Sequence, residues 1–251
     1  MFAGALLVVP AGCKSASSPE IGQQTGSTPK PAPMPQNAPF DSRVPITGPI
    51  NYVALGDSTG VGVGAREGGY VARLFKRITA RKPDSKLTNL CVSGATTSDV
   101  LRAQLESGIR KSPNLVTLGI GINDIGHGLS LEQFSKNYEE IVSRLKNETK
   151  AAIVVTNIPD ISSAPRIPEV IRSEYQQSIV EFNRRLEEIA QRHGVTIFDV
   201  YSITREELPA HPEFFSSDGF HPSDPGYELW AEKMWPTVAR AIGEKVESES
   251  P

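Results

Sequence analysis

From Ile50 onward the chain alternates between short apolar runs and longer stretches of helical periodicity, and this alternation is the strongest constraint on its fold. Tyr52–Leu55, Leu115–Ile120, Ala152–Asn157 and Thr196–Val200 are brief, mostly apolar and bounded by turn residues, while Lys86–Val92 is a more mixed run of the same kind. Such runs are expected of parallel strands buried on both faces. Between them, Leu101, Leu105 and Ile109 share one helical face near Ser98–Ile109. Leu131, Phe134, Tyr138, Ile141, Val142 and Leu145 share another, behind a capping box at Ser130 and Gln133. Ile171, Tyr175, Ile179, Phe182, Leu186 and Ile189 form a long stripe that Gly194 should end. A last helix should start with Asp224 as cap and Pro225 in its first turn, and Pro236 should end or kink it. This order predicts an α/β fold: a three-layer α/β/α sandwich around a central parallel five-stranded sheet.

The ends of the chain have a different character. Residues 1–13 hold an apolar run, Phe2 to Val9, followed by Pro10-Ala11-Gly12-Cys13. The run is shorter than the ~20 apolar residues a membrane span needs, and it reads as the end of a secretory signal. Ala-Gly-Cys at that place resembles a bacterial lipobox, although Pro10 stands where leucine is usual and no Lys or Arg precedes the run. The resemblance implies lipidation at Cys13 and an extracytoplasmic protein anchored in the cell envelope, with a secreted soluble form as the alternative. Residues 14–48 are rich in Pro, Ser, Thr and Gly and too poor in apolar residues to repay ordering, so a disordered tether is expected. Residues 49–245 are left for the folded domain and 246–251 for a disordered tail.

Charge and cysteine usage exclude several classes. The net charge of -3 and pI near 5.9 give no basic footprint for nucleic acid. The two cysteines, Cys13 and Cys91, form no Cys-x-x-Cys pair, and the four histidines make no metal spacing. No metal or cofactor is expected.

Four stretches sit where strands end or in loops beside them. Gly56-Asp57-Ser58 follows the first run, where a glycine turn would lift a hydroxyl above the sheet. Ser93-Gly94 follows the second run, ahead of a helix cap at Thr97 or Ser98. Gly121-Ile122-Asn123-Asp124 follows the third. Asp218-Gly219-Phe220-His221 precedes the last helix, with a spacing that lets the carboxylate meet the imidazole. Each alone is an ordinary turn. In this order, Gly56-Asp57-Ser58, Gly94, Gly121-x-Asn123-Asp124 and Asp218-x-x-His221-Pro222 resemble the SGNH hydrolases, also called the GDSL esterase/lipase family.

The resemblance covers the chain from about Ile50 to the last helix and implies a flavodoxin-like sandwich. It also implies a serine ester hydrolase acting through an acyl-enzyme, with Ser58 as nucleophile, His221 as base and Asp218 as its orienting carboxylate. Ser58, Gly94 and Asn123 would supply the oxyanion donors. Asp57 and Asp124 are expected to shape their loops, and His127 to be a solvated loop residue. The implied partner is a small-molecule, lipid or glycan ester. Ile158, Phe214, Phe215 and Phe220 in the expected site loops lean towards a lipase, lysophospholipase or thioesterase, with a carbohydrate O-acetyl esterase or a non-catalytic envelope binding lipoprotein as alternatives.

One stretch points elsewhere. Gly60-Val61-Gly62-Val63-Gly64-Ala65 matches the dinucleotide pattern G-x-G-x-x-A. That pattern wants an acidic residue at the end of the second strand, and Asp84 falls before it. The glycines are expected to form a mobile loop beside Ser58 instead.

Overall fold

The computed structural model describes residues 46–245. Cys13, the signal segment, the C-terminal tail and nearly all of the expected tether lie outside the described residues. In chain order the elements are β1 (Asn51–Gly56), α1 (Ser58–Val61), α2 (Tyr70–Thr79), β2 (Lys86–Asn89), α3 (Thr97–Asp99) and α4 (Leu105–Arg110), the last two joined by a π turn at Val100–Gln104. There follow β3 (Leu115–Gly119), α5 (Ile122–Gly126), α6 (Leu131–Glu148), β4 (Ala152–Thr156), α7 (Arg172–His193), β5 (Thr196–Phe198), α8 (Val200–Glu207) and α9 (Asp224–Ala241). None of the helices among the described residues is long and apolar enough to cross a membrane.

All strand pairs are parallel, in the order β2-β1-β3-β4-β5. The four apolar runs and the mixed run at Lys86 thus fall on the five strands. Because side chains alternate along a strand, β1 feeds two cores. Val53 and Leu55 pack with Val116, Leu118, Ile153 and Val155 beneath α6 and α7. Tyr52 and Ala54 face the other way, towards Tyr70 and Leu74 of α2 and Trp230 and Met234 of α9. The Tyr52 hydroxyl is paired there with Thr117 Oγ1 at 2.7 Å.

The ends of elements depart from expectation in informative ways. The second strand stops at Asn89, because the Asn89 side chain takes the Cys91 amide at 3.1 Å and turns the chain. Ser130 caps α6 by accepting from Gln133 N, but the Gln133 side chain goes to Asn137 Oδ1 at 2.7 Å and leaves the capping box half made. The cap of α3 is Thr96, in a full capping box with Asp99. Ser223, not Asp224, caps α9, and Pro236 lies inside that helix, which continues to Ala241. Gly194 ends α7 as expected. Helices α2 and α8 go beyond the sequence reading. The chain is tied in from Ile46, whose amide donates to Ile242 O, upstream of the boundary expected at 49.

The order 2-1-3-4-5 reverses between β1 and β3, and a crevice opens at such a switch point, outside the carboxyl ends of the strands. There Gly56 pairs with Gly119 at φ +146°, and a β-carbon on Gly56 would lie 2.2 Å from Gly119 O. Neither the backbone angle nor the space admits a side chain. Gly56→Ala should lose more than about 3 kcal/mol of stability, in the range of a strained backbone combined with overpacking. Urea denaturation tests this, and a loss under about 1 kcal/mol would contradict the close approach.

Candidate active site

Ser58 begins α1 immediately beyond β1. Asp57 caps this short helix, its carboxylate accepting from Thr59 N at 2.9 Å and Thr59 Oγ1 at 2.8 Å. Ser58 is only 3% exposed. Its own amide opens the first turn, where a helix offers no internal acceptor.

The loop before α9 brings the partner. A bridge between Phe215 and Pro222 and a bond from Ser216 N to His221 O close this loop on itself. His221 Nε2 lies 3.0 Å from Ser58 Oγ, and His221 Nδ1 lies 2.6 Å from Asp218 Oδ2. A carboxylate beside Nδ1 keeps the proton there, so Nε2 is free to accept from the serine hydroxyl. The other Asp218 oxygen accepts from the amides of Phe220 and His221 and from Ser216 Oγ. Burial alone would raise the Asp218 carboxyl, but the bonds from His221, Phe220 and Ser216 prevail and hold it well below the usual carboxylate range.

The other sequence candidates gather at neighbouring strand ends. Gly94 lies in the exposed loop after β2, with nothing within 4 Å of where a side chain would start. Asn123 stands in the first turn of α5, beyond β3, and gives one amide hydrogen to Ala95 O at 2.9 Å. Its second amide hydrogen stays available. Asp124 is fully buried and receives the Thr97 amide and hydroxyl, the latter at 2.5 Å. Asn137 of α6 donates to Thr97 Oγ1 from the other side, at 3.0 Å. The loop carrying Gly94 and the helix carrying Asn123 are thus stitched together. His127 is exposed.

Two expectations about the surroundings are corrected. The glycine string after Ser58 is close-packed rather than mobile: a β-carbon on Gly62 would sit 2.1 Å from Gly69 N, and Tyr227 Oη holds Val63 O at 2.9 Å. The glycines let the turn fold against itself. Ile158 is 1% exposed and packs under Gly121 in the core, not in the site. Burial pushes the Cys91 thiol well above its ordinary value.

An apolar cleft opens beside Ser58 and His221. Phe214, Phe215 and Phe220 line it, as the sequence suggested, together with Ile161 after β4, Ile203 and Leu208 around α8, and Trp230 of α9. The lining from α8 escaped the sequence reading because that helix was not foreseen, and Trp230 because α9 also carries core residues. Ile161 had a readable signal, since it follows the carboxyl end of a strand. Among the described residues no group of three or more His, Cys, Asp or Glu side chains is placed to hold a metal ion.

Asp57 shows what burial does to a carboxylate beside the serine. Desolvation pushes it from 3.8 to about 6, against the hydrogen bonds from Thr59. The folded chain then binds this proton more tightly than the unfolded one. Its contribution to stability is fully present below about pH 4 and is lost as pH rises through about 6. Asp57→Asn keeps an acceptor for Thr59 and cannot ionise. Its stability relative to the parent should therefore climb between about pH 4 and pH 6, then level off at a gain of roughly 3 kcal/mol. Urea titrations across pH check this; a difference that does not change with pH would rule out the shift.

Comparison with known proteins agrees with this geometry. A family model, the GDSL-like lipase/acylhydrolase family, matches residues 54–229. The chain is 25% identical over 220 residues to the GDSL-like esterase Rv1075c of Mycobacterium tuberculosis, covering 84% of this chain and 66% of that protein, just under two thirds of its length. It is 26% identical over 209 residues to the spore germination lipase LipC of Bacillus licheniformis, covering 74% of this chain and 94% of the relative. Among solved structures, a catalytic mutant of the acetylxylan esterase Axe2 from Geobacillus stearothermophilus has the same fold, with a TM-score of 0.65 and 21% identity over 81% of this chain and all (100%) of that one. The lipase/acylhydrolase from Enterococcus faecalis does too, at a TM-score of 0.62 and 23% identity over 79% and 100% of the two chains. The match to the family model runs from within β1 through the first third of α9, so this chain belongs to the GDSL-like lipase/acylhydrolase family.

Proposed function

We propose that the chain cleaves carboxylic esters with Ser58, His221 and Asp218 as a catalytic triad, and that the acyl group it accepts is an aliphatic chain longer than acetyl. The observation that carries the reading is the line Asp218–His221–Ser58, closed by bonds of 2.6 and 3.0 Å at the mouth of an apolar cleft. As Ser58 Oγ bonds to the ester carbonyl carbon, His221 Nε2 takes its proton. Asp218 steadies the imidazolium that results. The negative charge arriving on the carbonyl oxygen is met by the amides of Ser58 and Gly94 and the free amide hydrogen of Asn123. Collapse breaks the carbon–oxygen bond to the alcohol, which leaves with the proton from His221. Water then attacks the acyl-serine, giving its proton to His221, and release of the acid returns that proton to Ser58.

The acyl preference follows from the cleft. Its lining beside Ser58 is apolar, from Ile161, Ile203, Leu208, Phe214 and Trp230, and an acetyl methyl alone would cover little of it. Each methylene buried there is worth ~0.8 kcal/mol, so several methylenes outweigh the entropy of ordering the chain. The similarity to a protein named a lipase leans the same way.

A series of p-nitrophenyl esters from acetate to palmitate should show kcat/KM rising from acetate to a medium chain. Ser58→Ala should abolish turnover, and Asn123→Ala should lower kcat by ~10²–10³, the usual effect of one oxyanion donor. Turnover retained by Ser58→Ala would end the mechanism, and an optimum at acetate would end the chain-length reading in favour of a deacetylase. Ile203→Trp, which fills the cleft from α8, should cut kcat/KM for octanoate by ~10-fold or more while leaving acetate nearly unchanged, since hydrophobic pocket contacts discriminate by 1–3 kcal/mol. Equal effects on both esters would place the acyl chain elsewhere.

A further inference from the structure

The ladder between β1 and β2 has a gap just before the serine. β2 pairs with β1 only as far as Asn89, opposite Ala54. Beyond it, Leu90 N still reaches Ala54 O and Val92 N reaches Gly56 O, but the Gly56 amide finds no backbone acceptor on that side. A buried amide left unpaired costs ~1–3 kcal/mol, and this one lies two residues before Ser58 in sequence. The group that meets it comes from far along the chain. Gln104 is 2% exposed; its Oε1 accepts from Gly56 N at 2.8 Å and its Nε2 donates to Gly56 O at 2.9 Å. The carboxamide thus supplies the acceptor that the strand lacks at Gly56 N and adds a second donor, beside Val92 N, at Gly56 O.

Gln104 closes the π turn Val100–Gln104, the only break in an otherwise helical run from Thr97 to Arg110. A π turn inserts a residue into a helix and re-aims the side chains around it, and such turns are frequent at functional sites. Among the described residues the Gln104 carboxamide hydrogen-bonds only to Gly56.

We infer that Gln104 is a positioning residue for the nucleophile, an assignment that rests on the role of Ser58 proposed above. By taking the Gly56 amide with a side chain, it lets the main chain after Asn89 hold β1 through the Leu90 and Val92 amides alone and leave the sheet beyond Val92. That departure carries the Gly94 loop out to the far side of the crevice. At the same time it fixes the strand end from which Asp57 and Ser58 turn. A continued β2 would pair Gly56 equally well but would keep the main chain in the sheet where the crevice now opens.

The test uses Gln104→Met, which keeps length and loses both polar atoms, and Gln104→Glu. Each is assayed for p-nitrophenyl ester turnover, for phosphorylation by diethyl p-nitrophenyl phosphate, and for thermal melting, with Ser58→Ala alongside. Gln104→Met, at a temperature well below its melting point, should lose ~10- to 100-fold in kcat and in phosphorylation rate, the effect of a misplaced reacting group, with KM within about twofold of the parent. In Gln104→Glu the neutral acid has the same donor and acceptor as the amide, whereas the ionised form repels Gly56 O. Its kcat per folded molecule, relative to the parent, should therefore recover as pH falls from about 8 to about 5. A folded Gln104→Met with parental kcat overturns the inference. Should that variant not fold, a pH-independent ratio for Gln104→Glu overturns it instead. Activity in Ser58→Ala is the distinct result that removes the underlying mechanism rather than the role of Gln104.

Discussion

The site depends first on how closely two strand ends approach. Gly56 and Gly119 lie opposite one another at the reversal of strand order, and the space between them has no room for a β-carbon. This contact sets the angle at which β1 ends. Asp57 N, the next donor along, reaches across to Gly119 O at 3.3 Å and keeps the turn tied to β3. Ser58 therefore emerges at the start of α1, while Asn123 emerges from the neighbouring strand with only Ile120 to Ile122 between it and Gly119. Neither residue has to reach for the other, because the backbone has already brought their strand ends together.

From that fixed point outward, the crevice is walled by long-range polar clamps rather than by loop packing alone. Arg73 of α2 is 8% exposed and spans Asp224 and Glu228 of α9, each at 2.7 Å, while its Nε donates to Gly68 O. Asp224 also accepts from the amides of Arg66 and Glu67. The glycine-rich turn and the start of α9, which follows His221, are thereby held by one guanidinium. A buried multidentate arginine of this kind is worth more than an exposed pair. Truncating it would release the Gly68 carbonyl and both α9 carboxylates together. On the opposite wall, Asp124, Thr97 and Asn137 do the same for the Gly94 loop. Helices α2 and α9 on one wall, and α3, α5 and α6 on the other, thus supply the stiffness that short loops would lack.

The sequence disclosed what is periodic or local and concealed what is made by distant partners. Strand interiors could be read because burial on both faces leaves continuous apolar runs. The end of β2 could not, since Asn89 ends it through its own side chain and Gln104 serves Gly56 from 48 residues away. Ser58, Asp218 and His221 could be named from their motifs, but the bond across 163 residues that joins two of them is a product of the fold. The glycine string misled because glycine serves two opposite ends, flexible turns and close backbone contact, and only the packing of Gly62 on Gly69 chooses between them. Asp224 looked like a helix cap because it precedes a proline. Its carboxylate was instead taken up by Arg73 and two loop amides, which left the cap to Ser223.

Two carboxylates stand close to the imidazole in sequence or in space, and their environments divide the work between them. Asp57 is 2% exposed and has only Thr59 to satisfy it, so burial prevails and its proton is retained up to about pH 6. Asp218 sits in a more open loop and collects four hydrogen bonds, including that from His221 Nδ1, so its charge prevails. A group that stabilises an imidazolium must itself be ionised before the proton arrives, and of the two Asp218 meets that condition over the wider pH range. Asp57 makes no hydrogen bond to the imidazole, whose nitrogens meet Asp218 and Ser58. Its value lies in the geometry it gives to the first turn of α1, which a neutral carboxyl or amide oxygen gives as well. The order of chemical importance is thus the reverse of the order in sequence: the aspartate adjoining the serine shapes the turn, and the one 160 residues away carries the charge.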